Sequence, residues 1–581
     1  MESLSRRVKP VLPYLILGLV IMATTVLVFK LWDASLATLP LSYKPGDSAM
    51  TLFRSFEMRN GSGLFNLPNL SGISGSNTYS FYSIDLLLLV WQWFLSAVTG
   101  NFVLGYNLFV LSSFLFVGFS SLYSLKRLGM SNRIAFALSL LYTFLPYHSF
   151  RLFEHSYLGF YFLVPLACVF ALEIYKGTFE GSIDCIKVSK KRYISNSICL
   201  ILLGFTGIYY AFFACFIFLV AGICLSSNSG KISSIRVALA SILKTIIGVV
   251  ISAIPMLTHM SQAGVERSGF GAEVYSMRLS QLLLPITNHR ISLIASLKEK
   301  YNGLIQANEN DWSSLGLVFA VGLVVILMSI FLSLDKKKHS QLYPLMLLTV
   351  ACLLIGTIGS FSTFFGFVFP FIRAYCRICV FIAFFCAIAI GIMLKDFQAW
   401  LDKVFSRKSK CIPSIILSVV LVLITSMGLI DQTSSSFVPD YEAIKTSYQN
   451  DEEFVSDIIS TCGEDNGATL YMVPYMSFPE NGAIGSYQDY SPLLLAMHSR
   501  DIHLSYGSLR GTAEDNTLNA IGQSAIEDQI SYARDNGYNG ILLATNAYDQ
   551  GTTTTIIENT TTSLGEPSAR SSNYIFWVIG E

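Results

Sequence analysis

Apolar runs of bilayer-crossing length recur along the first three quarters of this chain and decide what it can fold into. A hydrocarbon core needs about 20 such residues per helix, with some tolerance. Eleven candidates stand at roughly 11–31, 102–125, 133–149, 156–175, 193–207, 208–226, 237–257, 314–334, 342–360, 378–395 and 413–430. Composition agrees: 52% of the 581 residues are hydrophobic and only 13% charged, against about 25% charged in soluble domains. That excludes an ordinary soluble enzyme, a disordered scaffold and a nucleic-acid binder. A net charge of +1 offers no field to a polyanionic partner.

Orientation follows from the basic residues between the runs. The clusters are Arg6/Arg7/Lys9, Lys126/Arg127/Arg133, Lys187/Lys190/Lys191/Arg192, Lys231/Arg236, Lys336/Lys337/Lys338 and Arg407/Lys408/Lys410. With eleven spans all of them fall on one side, so the N-terminus is expected inside and the C-terminus outside. Counting 83–98 as a further span would scatter the clusters; it reads as an interfacial or re-entrant helix of the first outer loop. The 193–226 run breaks at Gly204–Gly207 into two short helices. The run from Val11 to Lys30 is too long for a signal peptide and reads as a retained first span.

The polar mass is then all outside, in loops at 32–101 and 258–313 and a tail from 431 to 581. The membrane part is expected to cover 1–430. In the tail, ATLYMVPY, a helical stretch at Ala525–Arg534, ILLATNAY and YIFWVIG alternate strand and helix. That is enough chain for a small α/β domain. The expected fold is a polytopic α-helical membrane protein with an extracytoplasmic α/β domain at its C-terminus.

Five polar groups could carry chemistry. Asp47, after Gly46 in GDSAM, either caps the following helix or presents a carboxylate that takes a proton from an acceptor hydroxyl. Arg54 and Glu57, three apart, read as a solvated ion pair. The turn PYHSFRLFEHSYLG holds His148, Arg151, Glu154 and His155, which suit acid/base work, metal binding or a seat among lipid headgroups. The second loop carries Glu266, Arg267, Glu273, Arg278, His289, Arg290 and Asn310/Asp311/Trp312. In PFIRAYCRICVF, Arg373 and Arg377 lie four apart, on one helical face, as interfacial anchors or as partners of a lipid phosphate. The eleven cysteines form no disulfide framework: Cys168, Cys199, Cys215, Cys224, Cys352 and Cys386 lie in apolar runs. The Cys376/Cys379 pair has no second Cys/His pair near it. No Gly-rich phosphate loop, HExxH or nucleophile elbow occurs, which argues against a nucleotide-driven enzyme.

Taken together, the acidic GDSAM opening of the first loop, the amphipathic YSFYSIDLLLLVWQWF, the turn FRLFEHSYLGFYFLVP and the C-terminal outer domain resemble the GT-C class of membrane glycosyltransferases. The segment from Tyr471 to Gly511 is similar to tails of bacterial polytopic proteins described as sugar or phosphoglycerol transferases. The resemblance implies a multi-pass protein of the bacterial inner membrane and a polyprenyl-phosphate sugar donor. It also implies an acceptor glycan or glycolipid, and an inverting, hexosyltransferase-type reaction. It puts the catalytic carboxylate on Asp47, a second acid on Glu154 with His155 beside it, and the donor phosphate on Arg373, Arg377 and Arg290. No DxD stands in the outer loops and no acid pairs with Asp47, so no metal or other cofactor is expected. A transporter or flippase of lipid-linked saccharides is the rival reading. It would share the arginines, but no internal repeat supports it.

Overall fold

The computed structural model describes residues 11–72, 74–81, 84–179, 189–259, 270–305, 307–332, 341–405, 411–463 and 467–580. The basic clusters at 6–9 and 336–338, those of 407–410, Lys187, and Glu266 and Arg267 of the second loop lie outside these residues. Each predicted run coincides with helix, and among the described residues six helices are long and apolar enough to cross a membrane: Leu12–Phe29, Phe102–Arg127, Ile208–Ser229, Arg236–Leu257, Tyr375–Phe405 and Cys411–Gln432. Shorter apolar helices include Val164–Tyr175, Gly316–Phe331 and Tyr343–Gly356. The break at Gly204–Gly207 does separate two helices, Lys190–Leu203 and Ile208–Ser229. Gly204 and Gly248 let the backbones of two neighbouring helices touch; a Cβ on Gly248 would lie 2.0 Å from the Ile201 carbonyl oxygen.

The turn after the third run departs from expectation. Helix stops at Thr143, a short helix runs Pro146–Leu152, and regular helix resumes only at Val164. Pro146 sits at the start of the short helix, where its missing N–H costs nothing, while it holds Leu145 out of helical geometry. The predicted 133–149 and 156–175 spans are both shortened, and residues 144–163, regular only over Pro146–Leu152 and Ser156–Gly159, are left to carry polar side chains.

In the first polar loop, Asn66–Leu67 (β1) and Ser76–Asn77 (β2) form a small antiparallel ladder. Residues 83–98 do hold a helix, Leu86–Thr99. Its Gln92 donates to the Thr51 carbonyl at 2.6 Å and to Ser55 Oγ at 2.7 Å, pinning it to the helix Asp47–Arg59.

The tail begins with a long amphipathic helix, Tyr441–Cys462, then builds a five-stranded sheet. Its strands are β3 (Ala468–Val473), β4 (Ile502–Leu504), β5 (Gly540–Ala544), β6 (Ala569–Arg570) and β7 (Tyr574–Val578), in the order β4-β3-β5-β7-β6. β3 runs parallel to β4 and β5; β7 is antiparallel to β5 and β6. Side chains alternate across the sheet. Tyr471, Val473, Ile541, Leu543 and Trp577 pack with Leu518, Ile526 and Ile530 of the tail's own helices. Leu470, Met472, Leu542, Ala544 and Phe576 belong to one continuous core shared with the membrane helices. The tail is therefore fastened along a whole sheet face.

The first loop also extends that sheet. Beyond β4, Gly72 N donates to the Leu504 carbonyl at 2.7 Å, Leu504 N to the Asn69 carbonyl at 3.0 Å, and Ser71 N to the Tyr506 carbonyl at 2.7 Å. Gly507, at φ +110°, fits against Leu70, where a Cβ would come within 2.4 Å. An open strand edge is thus covered by the loop that bears Asp47.

A second clasp joins the same loop to the tail. Tyr43 Oη lies 2.8 Å from Asp451 Oδ2, 2.8 Å from His498 Nε2 and 3.0 Å from the Leu494 carbonyl. Burial lowers His498 to about 4 and raises Asp451 to about 6, the latter against the Tyr43 hydrogen bond. His498 contributes stability that is present above its unfolded value of about 6.5 and lost as pH falls towards 4. Asp451 contributes stability that is present below about 3.9 and lost as pH rises through 6. Between pH 4 and 6 the two slopes oppose each other. Asp451→Asn is expected to expose the histidine alone: its melting temperature should fall several degrees more than wild type's between pH 6.5 and 4.5, read by thermal scanning. Equal slopes would show that the clasp does not titrate.

Candidate functional site

Irregular backbone at one end of the helices gathers residues from four separate stretches. Asp47 opens the first-loop helix but does not cap it. Gly46, at φ +107°, occupies the cap position, and no side-chain cap bond forms. The capping expectation is therefore corrected, and the Asp47 side chain is 59% exposed. Its Oδ2 lies 3.9 Å from His155 Nδ1.

His155 in turn places Nε2 3.8 Å from Glu309 Oε2. Burial holds the imidazole below its usual value, with Arg151 and Arg377 pushing the same way against Asp47 and Glu309. The ring is thus neutral near pH 7. Glu154 sits at the rim; partial burial and the Asp47 charge raise its carboxyl, against the pull of Lys44 and Arg151.

Glu309 is the hub. Arg151 Nη1 donates to its Oε2, and Arg377 Nη2 lies 3.3 Å from the same oxygen. Despite burial, Arg377 and Arg151 hold its carboxyl well below the usual range. It begins a 3-10 turn, Glu309–Ser313, that is anchored firmly. Buried Asn310 takes Gln281 Nε2 at 2.7 Å, and Asp311 meets Lys298 Nζ at 2.5 Å and Thr287 Oγ1 at 2.7 Å. The sequence singles out only Asn310/Asp311/Trp312; the local signal for Glu309 is an acid immediately ahead of that triplet and of the apolar run that follows.

Arg151 is 0% exposed; its guanidinium carbon lies 4.5 Å above the Trp312 ring and 5.3 Å above Tyr147. Among the described residues its Nε and Nη2 have no hydrogen-bond partner, and neither has the buried Nε of Arg377. Arg377 lies 4.1 Å above Tyr209. Two desolvated guanidinium groups sharing one carboxylate leave strong donors unmet, which is costly unless an anion completes them. Arg133 and Arg127 belong to the opposite helix ends, where Arg127 pairs bidentately with Glu173.

Other expectations fare differently. Arg373 and Arg377 do not share a helical face, because Tyr375–Ile378 is a 3-10 turn and 373–374 is not helical. Both arginines still flank Tyr209, whose hydroxyl accepts from Arg373 N at 3.4 Å. Half-buried Arg373 stacks over Tyr275 at 5.4 Å. Arg290 lies outside the Glu309 network: its Nε donates to the Thr433 carbonyl at 3.0 Å. Buried His148 is a satisfied core histidine, held by Ser113 Oγ at 2.8 Å and the Thr143 carbonyl at 2.9 Å. Arg54 and Glu57 are not a solvated pair. Both are buried; Glu57 bonds Ser62 Oγ at 2.6 Å, and burial raises it to about 7. The tail aromatics Tyr471, Tyr475, Phe478, Tyr487 and Tyr490 are all buried, as core residues would be. Among the described residues no three His, Cys, Asp or Glu side chains gather closely enough to hold a metal ion.

No family model and no curated protein matches the chain. Among solved structures it is similar to ArnT from Cupriavidus metallidurans bound to undecaprenyl phosphate, with 10% identity, 97% of this chain and 98% of that one covered, and a TM-score of 0.46. It is similar to the oligosaccharyltransferase AglB from Archaeoglobus fulgidus, in complex with an inhibitory peptide and a dolichol-phosphate, at 11% identity, with coverage of 93% and 70% and a TM-score of 0.47. It is also similar to the arabinofuranosyltransferase AftD from Mycobacteria, at 13% identity and a TM-score of 0.49, where 97% of this chain spans 40% of that protein. At these values the likeness assigns no chemistry to this chain.

Proposed function

We propose that this protein is a bacterial inner-membrane glycosyltransferase that moves a sugar from a polyprenyl-phosphate donor to an acceptor glycan or glycolipid outside the cytoplasm. The observation that carries the reading is the buried Arg151/Arg377 pair, short of partners, whose shared Glu309 is separated from the Asp47 carboxylate by the one imidazole of His155. With the basic clusters taken as cytoplasmic, this site faces outward. A donor whose tail lies among the apolar helices brings its phosphate to the free N–H groups of Arg151 and Arg377, with Arg373 farther along the same wall. The acceptor hydroxyl gives its proton to Asp47 as its oxygen bonds to the anomeric carbon. The bond from that carbon to the phosphate oxygen breaks, and polyprenyl phosphate leaves with the electron pair. A single displacement inverts the anomeric centre. The two guanidinium groups meet the charge growing on the leaving oxygen, so the reading assigns no step to a metal.

Neutral His155 keeps Asp47 and Glu309 apart while touching neither charge strongly, and Glu154 at the rim faces the acceptor side. The test uses purified full-length protein in nanodiscs with a radiolabelled polyprenyl-phosphate sugar and a panel of surface glycans. Label should pass to an acceptor with matching release of polyprenyl phosphate. Scrambling of the labelled lipid across liposomes without any transfer would instead establish a carrier.

A further inference from the structure

A cavity of about 480 Å³ opens beside this cluster. Lys44, Phe150, Glu154 and Trp312 line it from the membrane part, and Asp440 and Ser447 from the start of the tail helix. Trp312 is a shared wall. One side of it faces Arg151 and His155; its ring also stacks on Phe150, with centroids 5.6 Å apart and planes 4° from parallel. Ser42, also in the lining, ties the cavity to the Asp47 helix through Ser48 Oγ at 3.3 Å. A concave site with an aromatic wall and a few convergent polar groups is built for a small polar ring with apolar faces.

We infer that this cavity holds the accepting sugar of the glycan, and that the accepting unit is uncharged. The inference rests on the transferase reading for the direction of attack, but the binding site stands on its own lining. Glu154 and Asp440 accept hydrogen bonds from sugar hydroxyls, Lys44 donates one, and the edges of Trp312 and Phe150 border the apolar faces of the ring. Lys44 is the one cation in the lining, against two carboxylates. An acceptor ending in a uronate or phosphate would meet net negative charge without a free cation to offset it. The unpartnered guanidinium groups lie on the far side of Trp312, reserved for the donor. The tail helix closes the cavity, so the tail completes the acceptor site by its first two turns.

The experiment measures direct binding of a neutral oligosaccharide and of its uronate-terminated counterpart to the full-length protein by calorimetry. Transfer kinetics are followed in parallel. Ser447 is exposed on the tail helix, so Ser447→Trp fills the cavity without touching the core, and Thr446→Trp, equally exposed on the same helix but outside the lining, serves as the control. The neutral glycan should bind wild type and Thr446→Trp alike and Ser447→Trp at least 10-fold more weakly. Acceptor KM of Ser447→Trp should rise in step, with polyprenyl phosphate binding at the wild-type value. Equal glycan binding by Ser447→Trp, or tighter binding of the uronate, would overturn the assignment. Glycan binding that obeys this pattern with no transfer by wild type would support the site and count against the transferase reading alone.

Discussion

Asp47→Asn is expected to slow sugar transfer by about 10²–10⁴-fold, the usual range for losing a positioned general base. Melting temperature and polyprenyl phosphate binding should both remain at wild-type values. The separation of these readouts follows from geometry. The helix that Asp47 opens is capped by Gly46, so the substitution removes no backbone hydrogen bond. The side chain is more than half exposed and the neutral His155 ring stands 3.9 Å from it, so little packing is lost. Were the carboxylate a cap after all, asparagine would replace it almost without cost, and transfer would be unaffected. The two readings of Asp47 therefore predict opposite kinetics from one substitution. Wild-type kcat in the purified Asp47→Asn protein would sink the base assignment.

How much of this could be read from residues alone depended on sequence distance. Apolar length located the helices, and the Gly204–Gly207 break located a boundary, because both signals are local. The same holds for β3, β5 and β7, which are short apolar runs between turns. The Arg54/Glu57 pairing failed for an instructive reason. Spacing of three places two residues on one helix face, but it cannot say that the Leu86–Thr99 helix and the tail will bury that face. Glu309 was harder still. Its partner Arg151 is 158 positions away, Glu309 belongs to no motif, and only closure of the second loop over the broken third helix brings them together. The sheet extension at Asn69–Gly72 is invisible for the same reason, since an edge strand shows no local sign of what will cover it. Asp47 was legible as an acid after a glycine turn; that it is left uncapped was decided by the φ of Gly46.

The second large effect is expected at Arg377. Replacing it with methionine leaves an apolar side chain of similar length at Tyr209 and removes the guanidinium that lies 4.1 Å above that ring. Truncating one member of a buried, hydrogen-bonded charge pair across a binding site typically costs 2–5 kcal/mol. Polyprenyl phosphate should therefore bind Arg377→Met at least about 30-fold more weakly, since 1.4 kcal/mol is a factor of about ten. Donor KM should rise with it. The fold should survive, because Glu309 keeps Arg151 as its partner. Glu309→Gln supplies the opposite sign. It removes the one carboxylate that both arginines share, so two desolvated cations are left facing each other and the melting temperature should drop, while affinity for the lipid phosphate is held or increased. Arginines that serve only as interfacial anchors would show neither pattern, because an anchor's loss is indifferent to whether a phosphate is present. Measured on the same preparations, equal polyprenyl phosphate affinity in wild type and Arg377→Met would remove the donor phosphate from this site. The buried Arg151–Glu309–Arg377 triad would then be a structural tie between the broken third helix and the second loop.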